Sequence, residues 1–239
     1  MAVDTHARAQ EFAQEVQDLL DNVLPAPEGG HESRQVNCLY TPKGLYAVHP
    51  GDLTKMAPIP LLSGGMEVAY LRFRYHCTSD TQRTYLAVEK SAFELIGPSG
   101  TDNNAPIVRL DYGRGANKVP SAHWNVHAER GAVSHILART NPKHSGMLSK
   151  VHLSVGGARA RPCLEDFLQM LLDEFKFDRC PGAQQEIERG RVKWRRTQIA
   201  TLVRDAPDVA VETLESLGYG VTVPSAGVRS ANFEALRRC

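Results

Sequence analysis

The chain has 239 residues, of which 42% are apolar and 23% are charged, with 28 basic against 27 acidic side chains. This composition is typical of a soluble globular protein and excludes a disordered chain, which would have fewer apolar residues and a larger charge imbalance. A formal charge of +1 also excludes a generally polycationic protein, so any contact with nucleic acid requires a local basic patch.

The sequence lacks the features of membrane insertion and export. No stretch approaches the roughly 20 apolar residues needed to cross a bilayer, and the first residues lack the basic leader and apolar core of a secretory signal. The five cysteines are dispersed without a C-x-x-C pair. We therefore expect reduced thiols and a cytoplasmic protein with no membrane contact.

The first element is predicted to be an amphipathic helix over residues 5–23. Phe12, Val16, Leu19 and Val23 recur at helical spacing and form one apolar stripe. Prolines and glycines after the stripe end the helix, and the stripe requires a partner surface on the rest of the domain.

Residues 36–155 have the pattern of short strands separated by turns. The clearest strand is 67–77, in which Leu71, Phe73 and Tyr75 alternate with polar side chains. Further strands are predicted at 36–40, 44–48, 83–97, 106–112, 121–129 and 151–155.

The chain after residue 158 has helical periodicity. Helices are predicted from Pro162, over 183–205 and from Pro207 to Leu217, and residues 220–223 are a candidate for a last strand. Strands first and helices afterwards predict an α+β fold with a mainly antiparallel sheet. We expect a single domain over 1–239, because the helices need the sheet to cover their apolar faces; the alternative is a division into 1–157 and 158–239.

The strongest local signal for chemistry is the segment His123-Trp124-Asn125-Val126-His127. In a strand, the period of two places His123, Asn125 and His127 on one face; in a helix, the i,i+4 spacing also brings both histidines to one face. His152 stands alone in an apolar strand and is interpreted as a structural residue.

Neighbouring strands carry polar residues with the same period of two. Arg109 and Asp111 share one face of strand 106–112, and antiparallel pairing with strand 121–129 would place them opposite the histidines. Arg72, Arg74 and His76 occupy the polar face of strand 67–77. Together these residues predict a sheet face rich in imidazole and guanidinium groups.

This set of side chains fits three interpretations. Two histidines can divide general-base and general-acid work while arginines hold a phosphodiester, which suffices for RNA cleavage without a metal or other cofactor. His123, His127 and Asp111 alternatively form a ligand set suited to zinc. The third interpretation is an ordinary solvated sheet face, which carries polar residues without any function.

A second signal is the basic segment 189–196, RGRVKWRR. Arg191, Lys193 and Arg195 around Trp194 could contact a phosphate backbone, with the indole stacking on a base. A solvated helix with a tryptophan in the core is the competing interpretation.

Two resemblances bear on function. Residues 60–220 resemble a family of uncharacterised bacterial proteins, a resemblance that implies no activity. Residues 106–131 are similar to the middle of TumE-type toxins of toxin–antitoxin pairs, which have R-x-D, a short loop and a proline followed by closely spaced histidines. The matching positions are Arg109, Asp111, Pro120, His123 and His127.

We therefore expect a toxin-like or phage-defence-associated protein that binds or cleaves RNA and is neutralised by a cognate antitoxin or a neighbouring-gene protein. In this hypothesis His123 and His127 form the acid/base pair and Asp111 orients a histidine. Arg109 contacts phosphate together with Arg72 or Arg74. The alternative functions are a non-catalytic module that binds nucleic acid or protein, and a metal-dependent hydrolase.

Overall fold

A computed structural model of the chain describes residues 4–27, 34–80, 85–97, 106–127, 152–155 and 159–237. Within these ranges the fold is α+β, as predicted: a helix, then a sheet, then further helices. The helices are α1 (Thr5–Val23), α2 (Leu164–Glu174), α3 (Ala183–Asp205), α4 (Pro207–Ser216) and α5 (Phe233–Arg237). The strands are β1 (Val36–Tyr40), β2 (Tyr46–Pro50), β3 (Ile59–Ser63), β4 (Met66–Ser79), β5 (Leu86–Ile96), β6 (Pro106–Gly113), β7 (Ala122–Val126) and β8 (Leu153–Ser154).

All eight described strands belong to one antiparallel sheet. Their order is β1-β2-β4-β5-β6-β7-β8, and β3 pairs with the same long strand β4 that β2 contacts. The sequence prediction missed β3, whose four buried apolar residues Ile59–Leu62 show no polar alternation. Residues 220–223 are not a strand, and residues 153–154 pair over a shorter length than predicted.

One face of the sheet forms the hydrophobic core. Phe73 and Phe93 on neighbouring strands point toward the helices, where Phe93 packs against Phe167 of α2 at 5.9 Å between ring centroids. The apolar stripe of α1 and the first turns of α3 complete the same cluster. The core therefore joins side chains from both sides of residue 158.

The C-terminal end of α1 is held by a buried arginine. Arg34 is 2% exposed, and its Nη2 donates hydrogen bonds to the carbonyl oxygens of Leu20 at 2.9 Å and Leu24 at 3.0 Å. Burial lowers the pKa of Arg34, and the nearby Asp21 carboxylate opposes that effect. The Leu20 carbonyl also accepts the Leu24 N–H at 2.9 Å, whereas the Leu24 carbonyl lies at the end of the helix, where carbonyl groups lack intrahelical partners.

The helices after residue 195 contribute little to the core. Of α4 and α5 no residue is buried, and in α3 only Ala183, Ile187 and Asp205 are buried. We use the name C-terminal arm for the second half of α3 together with the whole of α4 and α5. None of the helices that the structure describes has the length and apolar character required to cross a bilayer.

Candidate functional site

Antiparallel pairing gathers the polar residues of separate strands into rows on the sheet face opposite the core. One row runs across five adjacent strands and contains Arg74, Ala92, Asp111, His123 and Ser154. The predicted juxtaposition of Asp111 and His123 is therefore present as a direct cross-strand pair.

A parallel row contains Arg72, Glu94, Arg109 and Asn125 on four adjacent strands. Arg72 forms an ion pair with Glu94, so its charge is offset by a carboxylate of the neighbouring strand. The predicted shared face of β4, β6 and β7 is thus confirmed by the register, and Arg72 is already engaged within it.

Asp111 is the centre of the polar network. Its Oδ2 lies 2.6 Å from Arg109 Nε and accepts a hydrogen bond from Asn125 Nδ2 at 3.1 Å. The same oxygen is 3.7 Å from His123 Nε2. Asn125 is 1% exposed, and its Oδ1 has no hydrogen-bond partner among the described residues. A carboxylate held by an arginine and a buried amide is fixed in position next to an imidazole.

His123 is buried and oriented from both sides of its ring. Its Nδ1 is 2.8 Å from the carbonyl oxygen of Pro120, which can only accept a hydrogen bond. The proton therefore resides on Nδ1 in the neutral imidazole, and Nε2 carries the lone pair on the side of Asp111. When His123 is protonated, the Asp111 carboxylate at 3.7 Å is its counter-ion.

The second imidazole beside His123 is His152. The ring centroids are 4.6 Å apart at an interplanar angle of 83°, an edge-to-face contact. Pairing of β7 with β8 produces this contact. Ser154 lies opposite His123 in the register, and His152 is only two residues before Ser154 in the chain. The interpretation of His152 as a merely structural residue overlooked this pairing, which no local pattern in the sequence reveals.

His123 and His152 line a cavity of about 490 Å³ on this side of the sheet. Asp111, Arg109 and Lys90 line the same cavity, which we call the histidine cavity. Its volume lies within the range of small-molecule and cofactor sites, about 300–1,000 Å³. Glu89 lines it as well, so two imidazoles, two carboxylates and two basic side chains converge on one open space.

His127 lies outside this cluster. It follows the last residue of β7, is exposed, and donates its backbone N–H to the carbonyl oxygen of Ile107 at 2.9 Å. Four residues of extended chain separate the Cα atoms of His123 and His127 by about 13 Å. His127 is not among the residues that line the histidine cavity with His123, so the structure does not bring the two histidines predicted as a pair together in that cavity. The end of the segment that resembles the toxins, residues 128–131, lies outside the described residues.

A β-bulge brings a glutamate to the histidine cavity. The register between β4 and β5 shifts after the pair His76 and Lys90, which leaves Glu89 as an extra residue. Glu89 lines the cavity as a result, beside Lys90, which shares the polar face with Ala92 and Glu94 through the alternation of β5. The Glu89 carboxylate lies 3.6 Å from Arg114, whereas among the described residues no carboxylate forms an ion pair with Lys90.

Basic side chains continue from Lys90 across the sheet. The pKa of His76 is lowered, first by burial and then by the positive charges of Arg74, Lys90, His49 and Lys43. Lys90 lies opposite His76 in the register, and Arg74 is two residues from His76 on the same face of β4. We call these five residues the basic row. Within the parts of the chain that the structure describes, neither Arg74 nor Lys43 forms an ion pair with a carboxylate.

The basic segment of α3 belongs to a different surface. Arg191 Nε lies 2.7 Å from Asp166 Oδ1 of α2, and Arg195 Nη2 lies 3.8 Å from the same oxygen. Lys193 Nζ lies 2.5 Å from Glu15 Oε1 of α1. These cations connect three helices on the core side of the sheet. The structure therefore does not bring Arg191, Lys193 and Arg195 together with the histidine cavity.

The metal-ligand set proposed from the sequence is not assembled. The described residues, which include His123, His127 and Asp111, contain no group of three or more His, Cys, Asp and Glu side chains placed to hold a metal ion. The arrangement around Asp111 is an ion-pair and hydrogen-bond network.

Comparison of the chain with protein-family models, with curated proteins and with solved structures finds no match.

Proposed function

We propose that the protein cleaves RNA without a metal, using His123 and His152 as the acid/base pair. The observation that carries this proposal is the contact between the two rings inside a cavity that also contains Arg109 and Lys90. Imidazoles act as both acids and bases near neutral pH, and guanidinium and ammonium groups stabilise the added negative charge of a phosphoryl transition state.

The reaction balances with these groups alone. His152, in its neutral form, takes the proton from a ribose 2′-hydroxyl while the 2′-oxygen forms a bond to phosphorus. His123, protonated on Nε2, gives that proton to the 5′-oxygen as the P–O5′ bond breaks. The products are a 2′,3′-cyclic phosphate and a 5′-hydroxyl. Asp111 is a positioning residue in this scheme, because it contacts Arg109 and faces His123.

The basic row supports RNA as the substrate. Lys90 lines the cavity and lies opposite His76 in the register, and Arg74 is two residues from His76 on the same face, so a single strand with its scissile phosphate in the cavity would have these basic side chains along its flank. Phosphate neutralisation of this kind supplies sequence-independent affinity. The small net charge of the chain is consistent with such a localised basic surface.

The proposal includes a toxin-like or defence-associated role in the cytoplasm, with a cognate protein partner that neutralises the activity. The C-terminal arm supports the partner, because it exposes large apolar side chains such as Ile199, Val209 and Leu214. Expression of the wild-type chain alone should arrest growth, and expression of His152→Ala should not. Co-expression of the neighbouring gene should restore growth, and growth unaffected by the wild-type chain would contradict this role.

The direct test of RNA cleavage uses purified protein, a fluorescent single-stranded RNA and excess EDTA. We expect cleavage that persists in EDTA and yields 2′,3′-cyclic phosphate ends. A matched oligonucleotide with 2′-deoxyribose at every position should bind but remain intact, since it lacks the nucleophile. Loss of cleavage in EDTA with recovery on adding zinc would overturn the proposal in favour of a metal-dependent hydrolase.

A non-catalytic RNA-binding module is the second candidate, favoured by the basic row on its own. It predicts a salt-dependent mobility shift of RNA with no cleavage at any pH.

A further inference from the structure

A second cavity lies on the core side of the sheet, remote from the histidine cavity. It has a volume of about 440 Å³ and is bounded by α1, the start of β5, the N-terminus of α2 and the middle of α3. Phe12, Tyr85 and Trp194 supply its aromatic surface. A smaller cavity of about 60 Å³, which reaches the buried Tyr75, shares the lining residues Phe12 and Trp194 with it. We call the larger space the aromatic cavity.

The charges around the aromatic cavity leave one carboxylate without an ion-pair partner. Arg8 at the rim lies 2.7 Å from Glu11, and Lys193 lies 2.5 Å from Glu15, so each rim cation is offset by a neighbouring glutamate. Glu165 also lines the cavity, and among the described residues it forms no ion pair. The cavity thus has an excess of one carboxyl group.

Glu165 lies against the backbone of α3 at Gly190, where the missing side chain leaves room for its carboxyl group. A Cβ atom at position 190 would lie 3.0 Å from Glu165 Cγ and 3.1 Å from its Cδ, so no other residue fits there unless Glu165 moves. Gly190 stands in the interior of a helix, where glycine is among the least favourable residues. Burial raises the pKa of the Glu165 carboxyl, and the Cys163 side chain and the charge of Arg191 only partly oppose that effect.

The aromatic rings of this cavity already contact cations of the protein. The Arg161 guanidinium lies 4.7 Å from the centroid of the Trp194 ring, and Arg204 lies 4.9 Å from that of Tyr85. Such rings attract organic cations through their negative faces.

We propose that the aromatic cavity binds a small organic amine, with its apolar body against Phe12, Tyr85 and Trp194 and its ammonium group at Glu165. The volume suits a molecule of modest size, since ligand sites of about 300–1,000 Å³ are the common range. The charge complementarity favours a cation over an anion, because the rim cations are paired and the interior carboxyl is not. This site is separate from RNA cleavage, and either proposal can fail without the other.

Binding can be tested with three amines that differ in their apolar ring system: phenethylamine, tryptamine and cyclohexylmethylamine. Calorimetric and NMR titrations of the full chain should show saturable binding of at least one amine. Phenethyl alcohol and 3-phenylpropionate, which match phenethylamine in shape but lack its positive charge, should bind more weakly by at least about tenfold. Saturation by none of the three amines would overturn the proposal, as would equal affinity for the amine and its uncharged analogue.

Two variants assign the binding to Glu165. Glu165→Gln should lower amine affinity by about tenfold or more, and Gly190→Ala should do the same because the added methyl group displaces the carboxyl. Glu212→Gln removes an exposed carboxylate of α4 and serves as the matched control, with unchanged affinity expected. Wild-type affinity in both Glu165→Gln and Gly190→Ala would contradict the site.

Discussion

The rings of His123 and His152 meet edge to face with their centroids 4.6 Å apart. His123 is in β7 and His152 directly precedes β8, which pairs with β7 although the two are far apart in the sequence. Neither ring is enclosed by hydrocarbon, since both line the histidine cavity beside Asp111 and Arg109. The contact joins a buried imidazole fixed by Pro120 and Asp111 to a more accessible one. This division of roles is the basis of the proposed acid/base pair.

The basic row is expected to determine how RNA affinity depends on salt. Lys90→Gln and Arg74→Gln should each weaken binding of single-stranded RNA, because each removes a cation that neutralises a phosphate. The slope of log K against log salt should decrease by about 0.7 for each phosphate that is no longer neutralised. Fluorescence anisotropy titrations at several salt concentrations measure this slope.

Arg195→Gln is the matched control for these substitutions. Arg195 is exposed and carries the same charge, but it lies on the helix side of the sheet near Asp166. Its replacement should leave both affinity and slope unchanged. A larger effect at Arg195 than at Lys90 would place the RNA on the opposite face.

The pKa of His76 should report occupancy of the basic row. Burial and four neighbouring cations lower this pKa below the ordinary value of 6.5. A bound polyanion offsets the repulsion, so the all-deoxy oligonucleotide should raise the pKa of His76, measured by NMR titration of its ring protons. An unchanged value at saturation would show that the strand does not pass over Arg74 and Lys90.

The same shift has a consequence for stability. Because the folded pKa of His76 lies below the unfolded value, the unfolded chain binds this proton more readily. The contribution of His76 to the free energy of unfolding therefore decreases as the pH falls below about 6.5. His76→Gln should make the unfolding free energy less dependent on pH in this range, as measured by urea denaturation.

Arg34 is expected to be important for the stability of the fold. Arg34→Leu removes donors from the carbonyl groups of Leu20 and Leu24 and leaves them buried without that partner. The cost should be about 2–4 kcal/mol in the free energy of unfolding, measured by urea denaturation. Arg8→Ala is the control, because Arg8 is an exposed arginine of α1 that forms a surface ion pair with Glu11. It should change the free energy of unfolding by less than about 0.5 kcal/mol.

The elements with a clear period could be predicted from the sequence. The stripe of α1, the alternation of β4 and the apolar face of α2 each identify an element and the side that packs in the core. Period alone also placed Arg109, Asp111 and His123 on a common face, because antiparallel pairing conserves the alternation of side chains.

The distance between two residues that share a face could not be predicted from the sequence period. Two residues of one strand share a face at any even spacing, so the pattern cannot distinguish a neighbour from a residue about 13 Å away, as His127 is from His123. His152 reaches the cavity through the pairing of β8 with β7, and Lys90 reaches it through the register of β5 with β6; both registers depend on long-range packing. The predicted strand at 151–155, which contains His152 and could pair with strand 121–129, was the one signal that could have pointed to this contact, although no local pattern specifies that pairing.

The most direct test of the proposed acid/base pair compares the rates of single-turnover RNA cleavage by the wild-type protein, His152→Ala and His127→Ala in the presence of EDTA. The unfolding transition of each protein verifies that it is folded. We predict that His152→Ala loses at least about 100-fold in rate, the contribution expected of a general acid or base, while His127→Ala retains the wild-type rate. Retention of activity in His152→Ala with its loss in His127→Ala would contradict the proposed pair.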